Sequence, residues 1–226
     1  MYIRIFAIMI SILIPVYNGI EFISDSVGSV LNQTYTDWEL IIGVNGHPEN
    51  SEVYHRALQY KSNNKIKILD LHQIKGKSNA LNEMVKHCVY EHVAILDVDD
   101  IWHERKLETQ LPFIVDYDVV GSRCVYFGDQ REGTVPTIPT GDISNHDFSR
   151  GNPVINSSAI IHKELCKWNE NGIEDYDLWL SLRSKNKRFY NCGQVLVKHR
   201  LHPDSAFNAK GNNNLVPELL KRHLNA

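Results

Sequence analysis

The sequence predicts an α/β fold in which a mostly parallel central sheet carries helices on both faces, as one α/β/α sandwich. Apolar runs of strand length alternate with helical stretches through the first 100 residues, which is the pattern of successive right-handed βαβ units. The chain has 226 residues, 42% of them hydrophobic and 23% charged. These values are typical of a soluble globular protein with a sizeable core.

The elements of the first half follow from short-range patterns. Three of the strands are apolar runs, and the one at 65–71 alternates between polar and apolar residues. Two strands are followed by the turn signals Asn18-Gly19 and Asn45-Gly46. The first and third helices are indicated by apolar residues at helical spacing, and the second is polar and weakly periodic. The predicted strands lie at residues 11–16, 38–44, 65–71 and 93–96, and the helices at 21–32, 49–61 and from 76 to about 88.

Beyond residue 100 the alternation loosens. Residues 128–152 are rich in Gly, Pro, Thr, Asp and Ser and predict a long loop, which in a compact domain is usually functional or disordered. The predicted elements are a helix at 104–111, one or two strands at 119–127, a strand at 154–161, a helix at 175–184, a strand at 195–200 and a terminal helix at 215–224.

Charge and cysteine content exclude several classes. The net charge of −3 provides no basic excess for binding a phosphate backbone, so we expect no nucleic-acid partner. The four cysteines form no Cys-x-x-Cys pair and predict buried free thiols in a reducing, cytoplasmic compartment. The apolar segment 5–16 lacks a cleavage site and is too short to span a membrane. We therefore expect a buried first strand there and no transmembrane span.

Three carboxylates follow the fourth predicted strand within four positions, at Asp97, Asp99 and Asp100. Open α/β sheets bind their ligands at the carboxyl ends of their strands. Oxygen ligands at alternate positions suit a hard divalent cation that also holds phosphates. The alternative is an acidic turn that caps the helix beginning near Glu104.

Four strand ends should meet at one edge of the sheet, and each carries polar residues or a tyrosine. Tyr17 can stack on a flat base, and Asn45 offers a donor and an acceptor to the edge of that base. Gly76-Lys77-Ser78 opens a helix, whose free amides attract a phosphate. A Walker-type phosphate loop is excluded because Leu71 occupies the position of its first glycine.

A second acidic group, Glu174-Asp175, stands at the start of a predicted helix. The helix dipole favours carboxylates there whatever their role. The functional interpretation is a general base, which displacement of a diphosphate by an incoming hydroxyl requires. A metal ion on the opposite face of the sugar would stabilise the departing charge.

Taken together, the sequence resembles a family 2 glycosyltransferase of the GT-A fold, from about Ser11 to Ser205. The segments similar to family motifs are Ser11-Ile12-Leu13-Ile14-Pro15-Val16-Tyr17-Asn18-Gly19, Ser29-Val30-Leu31-Asn32-Gln33-Thr34-Tyr35, Leu96-Asp97-Val98-Asp99-Asp100, Glu174-Asp175-Tyr176-Asp177-Leu178-Trp179 and His199-Arg200-Leu201-His202. The resemblance implies one GT-A domain over residues 1–207, with a nucleotide-sugar-binding half at 1–100 and an acceptor half at 101–207. Residues 208–226 are then a tail that includes the terminal helix.

The resemblance also implies roles for individual residues. Asp175 is the catalytic base of an inverting transfer, with Glu174 in support, and Asp99 binds Mn²⁺ or Mg²⁺ with His202 near the metal or diphosphate. For His202, a purely structural role is the alternative. The residues implied for donor binding are Pro15, Val16, Tyr17, Asn18, Asn45, Lys75, Lys77, Ser78, Asn82, Asp97 and Val98. Residues 152–158 are expected beside the acceptor or the donor sugar.

Two positions depart from the family pattern. Asn45 stands where a base-contacting carboxylate is usual, which leaves the choice of nucleobase open. An arginine common in the family is missing from Asn79-Ala80-Leu81-Asn82, and Lys75 or Lys77 can replace its contact.

The predicted function is thus a metal-dependent inverting transfer of a hexosyl- or N-acetylhexosaminyl-type sugar from a nucleotide sugar, with a UDP-sugar favoured. The acceptor is a hydroxyl of a glycan, a lipid-linked sugar or a protein, and a lipid-linked acceptor is compatible with peripheral membrane association. One alternative is a non-catalytic protein that binds sugar nucleotides. Another is a haloacid dehalogenase-like phosphatase, although Ile101 replaces the threonine of its motif.

Overall fold

The structure, a computed structural model, describes residues 8–128, 131–170, 173–203 and 212–224. Within these ranges the strands are β1 Ile10–Val16, β2 Trp38–Asn45, β3 Ile66–Leu71, β4 His92–Ile95, β5 Ile101–Trp102, β6 Val119–Gly128, β7 Gly141–Asp142, β8 Ile160–His162 and β9 Phe189–Leu201. The helices are α1 Ile23–Leu31, α2 Glu52–Ala57, α3 Lys77–Lys86, α4 Lys106–Gln110, α5 Glu174–Ser184 and α6 Asn212–Leu224.

All nine strands join one sheet in the order β3-β2-β1-β4-β8-β6-β9-β5, and β7 pairs with β9. The strands β3, β2, β1 and β4 are parallel, as predicted for the first half. In the second half β6 and β9 are parallel, whereas β8, β5 and β7 run antiparallel to their neighbours. The strand order reverses between β1 and β4, and ligands of open α/β sheets bind at such a switch point.

Both faces of the sheet are covered by helices, which confirms the predicted α/β/α sandwich. Alternate residues of β1 point to opposite faces. Ile12 and Ile14 lie in one core with the apolar residues of α1, α2 and α4. Leu13 lies in the other core with those of α3, α5 and α6. The centre of the sheet is therefore buried on both sides, which explains the continuous apolar runs of β1, β2 and β4.

Several predicted boundaries differ from those of the structure. The segment predicted as a strand over 154–161 is a 3-10 turn, Asn156–Ser158, followed by the short strand β8. The turn forms because Ser158 Oγ donates to Ile155 O at 2.7 Å and accepts from Ser122 N at 3.0 Å, and such side-chain bonds compete with strand pairing.

Other differences concern length. The strand predicted at 195–200 is the longer β9, the region 119–127 is one strand, and the short strands β5 and β7 were not predicted. The helix predicted at 49–61 divides into α2 and a 3-10 turn, Leu58–Tyr60. The terminal helix begins at Asn212 and not at 215. Residues 5–7 of the predicted apolar segment, and residues 208–211 and 225–226 of the predicted tail, lie outside the described residues.

The predicted burial of the first strand and of the cysteine thiols is confirmed. β1 is buried along its whole length, and the four cysteines are buried free thiols. Burial raises the pKa of Cys88 to about 11 and that of Cys124 to about 12, so these two thiols are protonated at neutral pH. None of the helices in the described ranges is long and apolar enough to cross a bilayer.

Gly121 tests the packing between β6 and the 3-10 turn at Asn156–Ser158. A Cβ at Gly121 would clash with Asn191 Oδ1, which is buried, and lie 3.2 Å from Ser158 Oγ. Gly121→Ala should therefore lower the free energy of unfolding by about 2 kcal/mol, as overpacking of a core does. Gly28→Ala is the matched control, because nothing lies within 4 Å of its Cβ and alanine favours the helix. Urea denaturation of both variants checks this, and equal stabilities would contradict it.

Candidate active site

Tyr17 presents an exposed aromatic ring at the carboxyl end of β1. The residue is 56% exposed, and a Cβ at Gly46 would lie only 2.9 Å from its ring. Gly46 itself has a φ of +73°, so glycine is favoured there both by conformation and by space. The His47 ring lies 5.4 Å from that of Tyr17. The exposed ring of Tyr17, which lies close to Gly46, can stack on a flat base.

Asn45, at the end of β2, is buried and lacks a full set of partners. It is 1% exposed, and its Nδ2 has no hydrogen-bond partner among the described residues. A buried donor left unpaired is destabilising. Asn45 therefore suits a site that a ligand completes. Of the neighbouring predicted residues, Pro15 and Val16 are buried in β1, while Asn18 is exposed.

Lys77, the first residue of α3, connects two acidic segments. Its Nζ lies 2.7 Å from Asp97 Oδ1 and 3.2 Å from Glu174 Oε1. Burial disfavours the ammonium, but these two carboxylates outweigh burial and hold the pKa of Lys77 well above its usual value. One cation thus joins the end of β4 to the start of α5.

Asp97 is ionised and fixed on two sides. Burial alone would raise its pKa, but Lys77 and the amide of Asn156 outweigh burial and lower it. Asn156 Nδ2 donates to both carboxylate oxygens, at 3.2 and 3.1 Å. The backbone amide of Asp97 donates to Ser157 Oγ at 3.1 Å. The 3-10 turn at Asn156–Ser158 therefore sets the position of this carboxylate.

Asp100, the last of the three carboxylates that follow β4, has a structural role. It is fully buried, lies 3.0 Å from His199 Nδ1 and accepts from the backbone amide of Arg200 at 2.8 Å. Burial disfavours the charged imidazole, yet Asp100 outweighs it and raises the pKa of His199 to about 9. The pair anchors the segment after β4 to β9.

Asp99 and His202 lie together, with 3.1 Å between Asp99 Oδ2 and His202 Nε2. Burial and the neighbouring Asp100 and Asp97 raise the pKa of Asp99, so a cation would relieve unfavourable negative charge here. In the ranges covered by the structure, no group of three or more His, Cys, Asp or Glu residues could hold a metal alone. A carboxylate and an imidazole still fit a Mg²⁺ or Mn²⁺ ion that takes its other ligands from phosphates and water.

Asp175 lies in the first turn of α5 and is held by two donors. Asn152 Nδ2 donates to its Oδ2 at 2.8 Å, and the backbone amide of Tyr176 to its Oδ1 at 2.8 Å. Burial and the adjacent Glu174 raise the pKa of Asp175 to about 6, although Lys77 opposes them. A carboxylate that is ionised at neutral pH and yet more basic than usual suits a general base.

The remaining predicted residues have other surroundings. Ser78 Oγ donates to Asn169 O at 2.8 Å, and the amide of Asn82 bonds the backbone of Trp168 in both directions, at 2.7 and 3.0 Å. Both side chains thus fix the segment before α5 in this structure. Lys75 is exposed, and Val98 is buried.

Residues 152–158 are expected beside the acceptor or the donor sugar, but the sequence alone indicates no role for Asn152 or Asn156. The pairing of His199 with Asp100 is likewise not evident from the sequence. A signal for the asparagines exists: Asn156-Ser157-Ser158 interrupts a run that is otherwise apolar from Val154 to Ile161. Polar residues at such positions need partners when they are buried.

These features agree with one protein family: the carboxylates that follow β4, the Lys77 ion pairs, and the Asp175 carboxylate with its raised pKa. A model described as "Glycosyl transferase family 2" matches residues 11–168. The chain belongs to glycosyl transferase family 2. This confirms the family inferred from the sequence motifs, and a phosphatase of the haloacid dehalogenase type receives no support.

Two glycosyltransferases of Escherichia coli are similar to the chain over most of its length. The UDP-Glc:alpha-D-GlcNAc-diphosphoundecaprenol beta-1,3-glucosyltransferase WfgD of Escherichia coli is 29% identical over 212 residues, which cover 87% of this chain and 79% of that protein. The O-antigen biosynthesis glycosyltransferase WbnJ of Escherichia coli is 31% identical over 215 residues, which cover 87% of this chain and 81% of that protein.

Solved structures confirm the GT-A fold. TarS of S. aureus in complex with UDP-GlcNAc matches with a TM-score of 0.71 and 15% identity, covering 95% of this chain and 67% of that one. The mannosyltransferase PcManGT of Pyrobaculum calidifontis, in complex with GDP-Man and Mn²⁺, matches with a TM-score of 0.64 and 15% identity, covering 95% of this chain and 61% of that one. At these identities the likeness concerns the fold alone.

Proposed function

We propose that the protein transfers a hexosyl- or N-acetylhexosaminyl-type sugar from a UDP-sugar to a hydroxyl acceptor, with inversion and with a divalent cation. One observation carries the proposal. Asp175, a carboxylate with a raised pKa, interacts with the Lys77 ammonium, and Lys77 in turn forms an ion pair with Asp97. A donor-binding carboxylate and a proton acceptor thereby occupy one site.

For the donor we propose stacking of the base on Tyr17 and recognition of its edge by Asn45. The unpartnered amide of Asn45 supports this, since an amide can donate to a carbonyl oxygen and accept from the N–H beside it, the pattern that uracil offers. Asp97 would accept from the nucleoside. The glucosyltransferase relative of Escherichia coli is named for UDP-Glc, which also favours a UDP-sugar.

For the metal we propose Asp99 and His202 as the protein ligands. The raised pKa of Asp99, caused by burial and two neighbouring carboxylates, supports a cation there. When bound, a divalent cation stabilises the negative charge on a departing diphosphate. Lys77 adds a fixed positive charge at the start of α3, whose free backbone amides also favour phosphate oxygens.

For the chemistry we propose that Asp175 removes the proton from the acceptor hydroxyl as that oxygen attacks the sugar carbon. Asn152 and the amide of Tyr176 hold the carboxylate in place. Attack from the face opposite the diphosphate inverts the configuration, which parallels the division of roles in inverting glycoside hydrolysis. Glu174 keeps the pKa of Asp175 high and binds Lys77.

For the acceptor we propose a lipid-linked sugar, ahead of a free glycan or a protein hydroxyl. The same Escherichia coli relative is named for a diphosphoundecaprenol-linked acceptor. Peripheral membrane association of a cytoplasmic enzyme would suit that substrate. Residues 128–152 are the proposed determinant of acceptor choice.

Asp175→Asn tests the base. The asparagine keeps the shape but accepts no proton, so kcat should fall by about 10²- to 10⁴-fold, while the Kd of UDP stays unchanged. In the wild type the carboxylate must be ionised, so kcat/KM should rise as pH increases through about 6 and then level off. Activity of Asp175→Asn near the wild-type level, with the same pH profile, would rule out this base. Asp116→Asn, an exposed carboxylate, is the control.

Asp99→Ala tests the metal. Chelation by EDTA should abolish wild-type turnover of a UDP-sugar, and added Mn²⁺ or Mg²⁺ should restore it. The Asp99→Ala variant should remain inactive at any concentration of the cation, because one of its two proposed protein ligands is missing. Full wild-type activity in EDTA would contradict metal dependence, and titration of activity with Mn²⁺ measures it.

A further inference from the structure

Lys106, in α4, is a lysine enclosed by the protein without a carboxylate partner. The residue is 0% exposed, and none of the ion pairs between described residues includes it. Burial lowers its pKa to about 7, with a small opposing effect from the Cys192 thiol of β9. A buried amine without an opposite charge is unfavourable for stability, so the presence of Lys106 needs another explanation.

The amine of Lys106 contacts two side chains. Its Nζ donates to Gln110 Oε1 at 2.6 Å and lies 4.0 Å from the centre of the Trp102 ring. Because the amine donates to the oxygen of Gln110, it determines which end of that amide faces away. The attraction to the indole restrains Trp102 in the same way.

These two side chains support the 3-10 turn at Asn156–Ser158. Trp102 Nε1 donates to Ser157 O at 2.6 Å. Gln110 Nε2 donates to Ser158 O at 2.9 Å and to Val120 O at 3.0 Å. The amide of Gln110 can make both bonds only in the orientation that Lys106 selects.

The supported turn is the one that holds Asp97, through Asn156 Nδ2 and Ser157 Oγ. We infer that Lys106, acting through Trp102 and Gln110, is a positioning residue that holds the Asp97 carboxylate in its nucleotide-binding place. The inference rests on the proposed role of Asp97 in binding the donor. Both the amine and the ammonium carry an N–H, so the orientation of Gln110 is kept on either side of pH 7.

Lys106→Met tests this inference, because methionine has a similar length without a donor. In the 226-residue chain we expect amide hydrogen exchange to accelerate about tenfold at Asp97, Ser158 and Ala159, whose amides are bonded within or to the turn. The Kd of UDP should rise about three- to tenfold, the equivalent of one ordinary hydrogen bond. The control is Lys163→Met, which removes a lysine that donates to Cys88 O and should change neither quantity.

Unchanged exchange at Asp97 and unchanged UDP affinity in Lys106→Met would overturn the inference, as would a loss of thermal stability alone. If Lys106→Met does not fold, Trp102→Phe keeps an aromatic ring without the indole N–H and should give the same two effects. Absence of UDP binding by the wild type would refute the proposed function, whereas the exchange rates would still decide whether Lys106 positions Asp97.

Discussion

The site depends on one partly buried charge cluster, in which the Lys77 ammonium pairs with both Asp97 and Glu174. These carboxylates are 77 positions apart in the sequence, and the lysine that joins them opens a third element, α3. Removing the cation would leave two partly buried carboxylates without this opposite charge, which is unfavourable for their ionised forms. The end of β4 and the start of α5 are therefore held together by electrostatics as well as by packing in the shared core.

Two carboxylates that interact with Lys77, Asp97 and Asp175, have pKa values shifted in opposite directions. Burial acts on both, but Asp97 lies against Lys77 and Asn156 and its pKa is lowered. Asp175 lies beside Glu174 and its pKa is raised to about 6. Environments that move two pKa values apart are how a site divides its roles. In the proposed mechanism one carboxylate remains an anion that binds the donor, and the other accepts a proton.

The sequence predicts the parts of this structure that depend on local pattern. The parallel strands β1, β2 and β4 are apolar runs and β3 is an alternating one, so the polar residues at their carboxyl ends could be placed at one edge of the sheet. The 3-10 turn at Asn156–Ser158 could not be predicted, because it forms through bonds to Asp97, Trp102 and Gln110, which are distant in sequence. Ser78 and Asn82 showed the same limit, since their partners lie about 90 residues away.

Lys77 interacts with both Asp97 and Asp175. The most direct test of this shared interaction is the pH dependence of kcat/KM in Lys77→Met. That parameter reports the pKa of the essential base in the free enzyme. In the wild type, kcat/KM should rise with pH around 6. Because Lys77 lowers the pKa of Asp175, removing Lys77 should shift this rise to higher pH. The control Lys75→Met should leave the pH of the rise unchanged. If kcat/KM rises at the same pH in Lys77→Met and in the wild type, the proposal that the Lys77 ammonium couples Asp97 to Asp175 is contradicted.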